Sequence, residues 1–194
     1  MDEQALPPAV LAAAQDRRGG ATEVARRALD GLLEVAGDRQ RLEAAVAVLL
    51  AGQPAMAPLW HVARAARGER PGPALAGLRQ RLDADMQAAV AAAVAWLRAR
   101  AGPVATVSHS SLVDAVLGRL GPTPAGMAVA VVGADAIGPR ALLNAEGTGE
   151  LAARLPTLVV ATPIKLVPAA AFARLAAPGF EQVPLAAVAA VVLG

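Results

Sequence analysis

The sequence contains no cysteine and no tyrosine. Without cysteine, disulfides, thiolate chemistry and cysteine-ligated zinc are all excluded. The two histidines, His61 and His109, lie too far apart in sequence to form a metal motif. Aromatic residues make up 2% of the chain, too few for stacking on nucleic-acid bases. A one-sided charge is also lacking. Residues 1–100 carry 13 basic and 11 acidic side chains and residues 101–194 carry five of each, so neither half has a basic nucleic-acid footprint. No apolar run reaches bilayer-spanning length, and the N-terminal Met-Asp-Glu-Gln has neither the basic nor the apolar region of a signal peptide. The expectation is a cytoplasmic protein with no nucleic-acid and no membrane partner.

What is present is apolar and alanine-rich. The 194 residues are 56% hydrophobic with a mean hydropathy of +0.47, which argues against disorder. Alanine buries little area per residue, so the driving force is weaker than that percentage suggests. The length allows one substantial core, or a small helical domain joined to a small α/β domain.

Lysine and asparagine occur once each, at Lys165 and Asn144, and isoleucine and phenylalanine twice each, at Ile137, Ile164, Phe172 and Phe180. Abundant alanine, arginine, glycine and proline, with few residues read from AT-rich codons, is the pattern of a GC-rich genome. All six survivors fall between Ile137 and Phe180. One reading is that arginine and glutamine do not substitute there, since lysine and arginine differ in shape and hydration. The other is chance in small numbers.

Periodicity divides the chain in two. Apolar spacing predicts helices at Pro8–Gln15, Thr22–Ala36, Arg39–Leu50, Ala57–Arg67 and Pro73–Arg100, with Thr22 as a possible cap. Gly102-Pro103 then separates a second half of different period. Short apolar runs at Val104–Ser108, Met127–Val132, Leu158–Thr162 and Val188–Leu193 read as strands, the last as a strand or a terminal extension. Ser111–Leu120, Thr148–Arg154 and Pro168–Leu175 read as helices, and Asn144 begins a loop. Strands alternating with helices imply a parallel sheet. The expected organisation is a helical domain over 1–101 and a Rossmann-like α/β domain over 102–194.

Ligands of open parallel sheets bind at the carboxyl ends of the strands. Four polar groups fall there: Ser108-His109-Ser110-Ser111 at a helix start, Asp135, Asn144 with Thr148, and Lys165. A helix N-terminus offers free N–H groups to an anion. Each residue also has a plainer role open to it. Ser110 or Ser111 can serve as a cap, Asp135 can close a turn, Lys165 can be solvated, and His61 and His109 can be incidental. No GxGxxG or phosphate-loop pattern supports a nucleotide, and no cofactor is expected.

The same segments carry a resemblance. Thr106-Val-Ser-His-Ser-Ser, Gly133-Ala-Asp-Ala-Ile-Gly followed by Asn144-Ala-Glu-Gly-Thr-Gly-Glu-Leu-Ala, Pro156-Thr-Leu-Val-Val-Ala-Thr-Pro-Ile-Lys and Phe180-Glu-Gln-Val-Pro run in order. Upstream stand Arg17-Arg-Gly-Gly-Ala and Gly52-Gln-Pro-Ala-Met-Ala-Pro-Leu-Trp. Together they resemble the translation initiation factor 2B alpha/beta/delta-subunit family, which includes ribose-1,5-bisphosphate and methylthioribose-1-phosphate isomerases. The resemblance implies an N-terminal helical domain, a Rossmann-like domain and an aldose–ketose conversion handled by a cysteine and an aspartate. The aspartate maps onto Asp135. Phosphate and sugar contacts map onto Arg18, Gly19, Gly20, Ala21, Ser110, Ser111, Asn144 and Lys165.

Three departures stand out. The cysteine position holds Ser108, and a hydroxyl is a poor general acid or base without an activating partner. Two cationic positions hold Gln53 and Ala145. The link between the Ser111 helix and the Met127 strand is several dozen residues shorter than in the family, about one or two βα units. The expectation is a shortened member that binds a phosphorylated small molecule with little or no isomerase activity and forms a homo-oligomer. An active isomerase using Asp135 and a non-catalytic interaction subunit are the alternatives.

Overall fold

A computed structural model describes residues 6–100, 102–107, 110–122 and 128–194. Ser108, His109 and Met127 lie outside the described residues.

The first half is helical throughout: α1 (Pro8–Gln15), α2 (Ala21–Glu34), α3 (Arg39–Gly52), α4 (Ala57–Ala66) and α5 (Pro71–Arg98). Proline in the first turn of α1, α4 and α5 suits helix starts, where its missing N–H is not needed. Asp38 caps α3 by accepting the Arg41 N–H at 3.1 Å. The apolar faces of α1 to α4 and the first half of α5 close on one core centred on Leu29, Leu32, Leu42, Leu49, Leu59 and Leu75, all at most 1% exposed.

The second half contains β1 (Val104–Ala105), α6 (Ser111–Leu120), β2 (Val129–Val132), β3 (Ala136–Ile137), β4 (Ala141–Ala145) and α7 (Thr148–Arg154). It continues with β5 (Thr157–Ala161), a 3-10 turn at Pro163–Lys165, α8 (Ala169–Phe172), β6 (Phe180–Pro184) and β7 (Ala190–Leu193). Strands β1, β2, β5 and β7 form the expected parallel sheet, in the order β1-β2-β5-β7. Val188–Leu193 was open between a strand and an extension; residues 190–193 pair with β5.

Both faces of that sheet are covered. Leu158 and Val160 of β5 pack with Ala89, Val90, Ala93 and Val94 of α5 and with Leu112 and Val116 of α6. Val159 and Ala161 face the other way, against Ile137, Leu142 and Val183. Alternation of side chains across a strand makes a double-sided burial of this kind read as a continuous apolar run. Helix α5 therefore serves two cores: its first half belongs to the helical layer, and its second half lies on the sheet.

The second covering layer is a sheet that apolar periodicity did not predict. Strands β3, β4 and β6 pair antiparallel in the order β3-β4-β6. Asn144, expected to begin a loop, lies on β4 opposite Glu181. Strand β3 has only two residues and β6 buries only Val183 fully, so neither leaves a clear period in the sequence. Pro168–Leu175 contracts to the four-residue α8 for a related reason: Phe172 packs against Gly138 and ties the segment to β3 rather than to a long helical face.

Close packing at Gly52 joins α3 to the end of α1. A Cβ added there would lie 2.4 Å from the Ala14 carbonyl oxygen. Overpacking of this kind costs about 1–3 kcal/mol. Gly52→Ala is therefore expected to lower the urea midpoint of unfolding. Gly72→Ala, where the nearest atom to the new Cβ is 3.9 Å away, should leave it unchanged or raise it slightly. Equal midpoints for the two variants would refute the packing argument.

Candidate functional site

A cleft of about 770 Å3 opens where the helical layer meets the carboxyl edge of the parallel sheet. Strand β2 delivers Gly133, Ala134 and Asp135 to it, β5 delivers Lys165 through the 3-10 turn, and the start of α6 contributes Ser110 and Ser111. Asn144 and Ala145 come from β4, and Arg18, Gly19, Gly20 and Ala21 come from the α1–α2 loop. The nine described residues expected to form a site thus line one cavity, together with Asp16, Gln53 and Phe180. Ser108 and His109 lie outside the described residues.

Asp16, which the sequence reading passed over, organises the α1–α2 loop. Its carboxylate accepts the backbone N–H groups of Arg18 at 2.8 Å and Gly19 at 2.7 Å, and the Arg27 guanidinium at 2.7 Å. The Gly19 bond, then the Arg18 bond, then Arg27 hold its pKa below the usual aspartate value against the opposing effect of burial. An Asp two and three residues before the N–H groups it binds is a local turn signal, and Asp-Arg-Arg-Gly-Gly displays it.

Gln53 secures the same loop from the other side. Its side-chain amide donates to the carbonyls of Ala13 at 3.0 Å, Ala14 at 3.3 Å and Asp16 at 2.5 Å. Arg17 adds bonds to the carbonyls of Ala14 at 3.1 Å and Gly52 at 3.0 Å. The residue standing in for an expected cation is thus turned into the protein. Arg18 is exposed and its guanidinium makes no bond to any described residue, so it is free to meet a ligand.

Two helix starts face this cavity. Thr22, expected as the cap of α2, lies inside the helix. The cap position is Gly20, which has no side chain, so the first turn of α2 has no side-chain cap. Ser110 caps α6, but its Oγ lies a long 3.5 Å from the Val113 N–H. Uncapped N–H groups and the positive end of the helix dipole favour an anion. Gly133 must stay without a side chain here, since a Cβ would fall 2.8 Å from Ser110 Oγ.

The opposite wall holds Asp135 and Lys165. The backbone of Asp135 is fixed at both ends: its N–H donates to Leu143 O at 2.8 Å, and its carbonyl accepts the Ala57 N–H at 3.0 Å. Lys165 is 3% exposed, which removes the solvated-surface reading. Burial pushes the Lys165 pKa below the ordinary lysine value, with Asp135 pulling it back up. Burial pushes the Asp135 carboxyl above its ordinary value, with Lys165 opposing. They sense one another without closing an ion pair, and among the described residues neither side chain has a hydrogen-bond partner. Asn144, 4% exposed, donates from its amide to Thr148 Oγ1 at 2.9 Å, and that hydroxyl donates to Ala145 O at 2.7 Å.

His61 sits apart from the cleft, with Nε2 donating to Leu166 O at 2.8 Å and burial lowering its pKa. No group of three potential metal ligands occurs among the described residues, and none of their helices is long and apolar enough to cross a membrane.

No known protein-family profile matches the sequence. No curated protein matches it either. Solved structures do. Translation initiation factor eIF-2B of Pyrococcus horikoshii OT3 superposes with a TM-score of 0.76 at 15% identity, over 95% of this chain and 93% of that one. The fold is that of initiation factor 2B subunits. The tetrameric eIF2B-beta2-delta2 complex from C. thermophilum matches with a TM-score of 0.69 at 13% identity, over 95% and 87%. The 5-methylthioribose 1-phosphate isomerase of Pyrococcus horikoshii OT3 shares the fold at 0.59 and 15%, over 95% and 82%. At these identities the likeness fixes the initiation factor 2B fold and leaves the chemistry to the site.

Proposed function

We propose that this chain binds a phosphorylated sugar or a similar anionic small metabolite in the cleft, with little or no isomerase activity. The observation that carries this reading is Lys165: the chain's single lysine, 3% exposed, bordering a cavity, and among the described residues without a carboxylate in ion-pair contact. A cation held this way is stabilised by an anion from outside. The uncapped start of α2, the start of α6 and the free Arg18 supply further donors across the same cavity. Asn144 and Asp135 add groups able to meet hydroxyls. A neighbour in structure is a 5-methylthioribose 1-phosphate isomerase, and the ligand class proposed here is of that kind.

Binding is tested by calorimetry with inorganic phosphate and glycerol phosphate. Charge-assisted bonds contribute roughly 1.5–3 kcal/mol each, so Lys165→Ala should weaken binding by about ten- to a hundredfold while the protein stays folded. Lys165→Arg should weaken it too, because a planar fork does not fit a point-charge site. The lowered Lys165 pKa adds a pH signature. Affinity should fall as pH rises, beginning below the ordinary lysine range, because the ammonium loses its proton there. Unchanged affinity in both variants would overturn the anion-site reading.

Loss of isomerase activity is proposed because the chain contains no cysteine to pair with Asp135. Purified protein should give no enzymatic interconversion of ribose and ribulose bisphosphates in a coupled assay. Robust turnover would refute this.

Self-association is proposed on the open strand edges. Among the described residues strand β7 pairs with β5 alone and leaves Val191 and Leu193 exposed, and such edges need covering. Light scattering should report a dimer or larger species at micromolar concentration, and a clean monomer would count against it.

A further inference from the structure

Lys165 has properties that a simple charge contact does not require. Its amine reaches the cleft from a nearly buried stem, so few approaches to it are open. Asp135 stands on the same wall, near enough for the two charges to influence one another, yet the pair does not close. A closed ion pair would occupy the nitrogen lone pair with a proton and block attack. The open arrangement leaves an amine and a carboxyl both facing a cavity that accepts a small molecule.

The turn that carries Lys165 is also firmly held. Its N–H donates to Thr162 O at 3.0 Å, and the adjacent Ile164, 8% exposed, anchors in the helical core. Thr162 is fully buried. A nucleophile on a rigid element, beside an acid on a backbone fixed at both ends, is a pre-organised pair.

We propose that Lys165 captures the free carbonyl of an aldehyde- or ketone-bearing phosphorylated metabolite as an imine, with Asp135 moving the protons. The inference rests on the anion-site reading, since the phosphate is what brings the carbonyl in. The unprotonated Lys165 Nζ attacks the carbonyl carbon, the C=O electron pair moves to oxygen, and one of the two Nζ protons passes to that oxygen. Asp135, as the acid, donates a proton to the resulting hydroxyl, the C–O bond breaks, water leaves, and the nitrogen lone pair forms the C=N bond. The Asp135 carboxylate then takes the remaining Nζ proton, which restores the acid. The net change is amine plus carbonyl giving imine plus one water, and addition of water reverses it. No oxidant, reductant or metal is needed. Burial shifts the two groups in converging directions, Lys165 down and Asp135 up, which favours an amine able to attack and an acid able to donate.

The single lysine makes the test clean, because the only other primary amine is the chain's N-terminus. The full-length protein is incubated with pyridoxal phosphate as the probe aldehyde and reduced with sodium borohydride, and the adduct is located by peptide mass spectrometry. The expected result is one saturable adduct on Lys165, prevented by excess glycerol phosphate, which has the phosphate but no carbonyl. Lys165→Arg should lose this adduct while keeping its circular-dichroism spectrum. Asp135→Asn should form the adduct more slowly while keeping its circular-dichroism spectrum.

Two outcomes separate this inference from the reading it rests on. Glycerol phosphate binding with no Lys165 adduct overturns the imine and leaves the anion site standing. A Lys165 adduct that glycerol phosphate does not prevent, or an adduct on the N-terminus alone, also overturns it. If neither calorimetric binding nor an adduct is found, both fall.

Discussion

An ammonium group at 3% exposure, without a paired carboxylate among the described residues, is a constraint around which the rest of this fold can be understood. Burying an unpaired charge is unfavourable by several kcal/mol, so the group tends to neutralise or to find a counter-charge. Lys165 closes no ion pair with a described residue and is pushed toward its neutral form. Its pKa falls, and Asp135 limits that fall without closing on it. Such an arrangement persists only where the surrounding packing holds both groups apart. Ile164 in the helical core fixes one side, and the bonds of the Asp135 backbone to Leu143 and Ala57 fix the other. Three layers therefore meet at this point: the helical layer, the parallel sheet and the antiparallel sheet.

The near wall shows the opposite solution. There the charges are exposed and internally matched. Asp16 meets Arg27 and two N–H groups, while Gln53 and Arg17 bind backbone carbonyls. Every one of these contacts shapes the loop that presents Arg18 and the uncapped start of α2. The loop is rigid because its own polar groups are satisfied, and receptive because Arg18 is left out of that network. The cleft is therefore asymmetric: Arg18 and the starts of α2 and α6 lie on one side of it, and Asp135, Asn144 and Lys165 on the other.

Much of this was legible from sequence, for definite reasons. Helices α1, α6 and α7 fall at the predicted residues because each has an unambiguous start: Pro8 for α1, Ser110 for α6 and Gly147 for α7. The parallel strands were visible because burial on both faces makes Val131, Val132, Leu158, Val159 and Val160 a continuous apolar signal. The antiparallel sheet was not visible in periodicity. Phe180, Glu181 and Gln182 stay partly or largely exposed, so the strand carries no alternation, although its motif had already been singled out. Thr22 misled because a threonine near a helix start usually caps it, whereas two glycines moved the start of α2 one residue earlier. Asp16 and Gln53 were missed as loop-builders because their partners are backbone groups, which a reading of side-chain types does not see.

The rare residue types gather around the cleft. Of the six survivors, Lys165, Asn144 and Phe180 line the cleft. The other three hold its walls in place. Ile164 ties the Lys165 turn to the helical core, Ile137 packs between the two sheets, and Phe172 closes on Gly138 at the end of β3. Ile137 also has its carbonyl bound by the Val167 N–H at 2.9 Å, which links β3 to the segment just after Lys165. Replacing lysine by arginine would force a wider, planar head into a nearly closed wall. Replacing Asn144 by glutamine would lengthen the reach to Thr148 in a site 4% exposed, where one added methylene is felt as overpacking. At Arg18 the cation is exposed to water. Lys165 is the enclosed cation among the described residues, and lysine and arginine differ in shape and hydration.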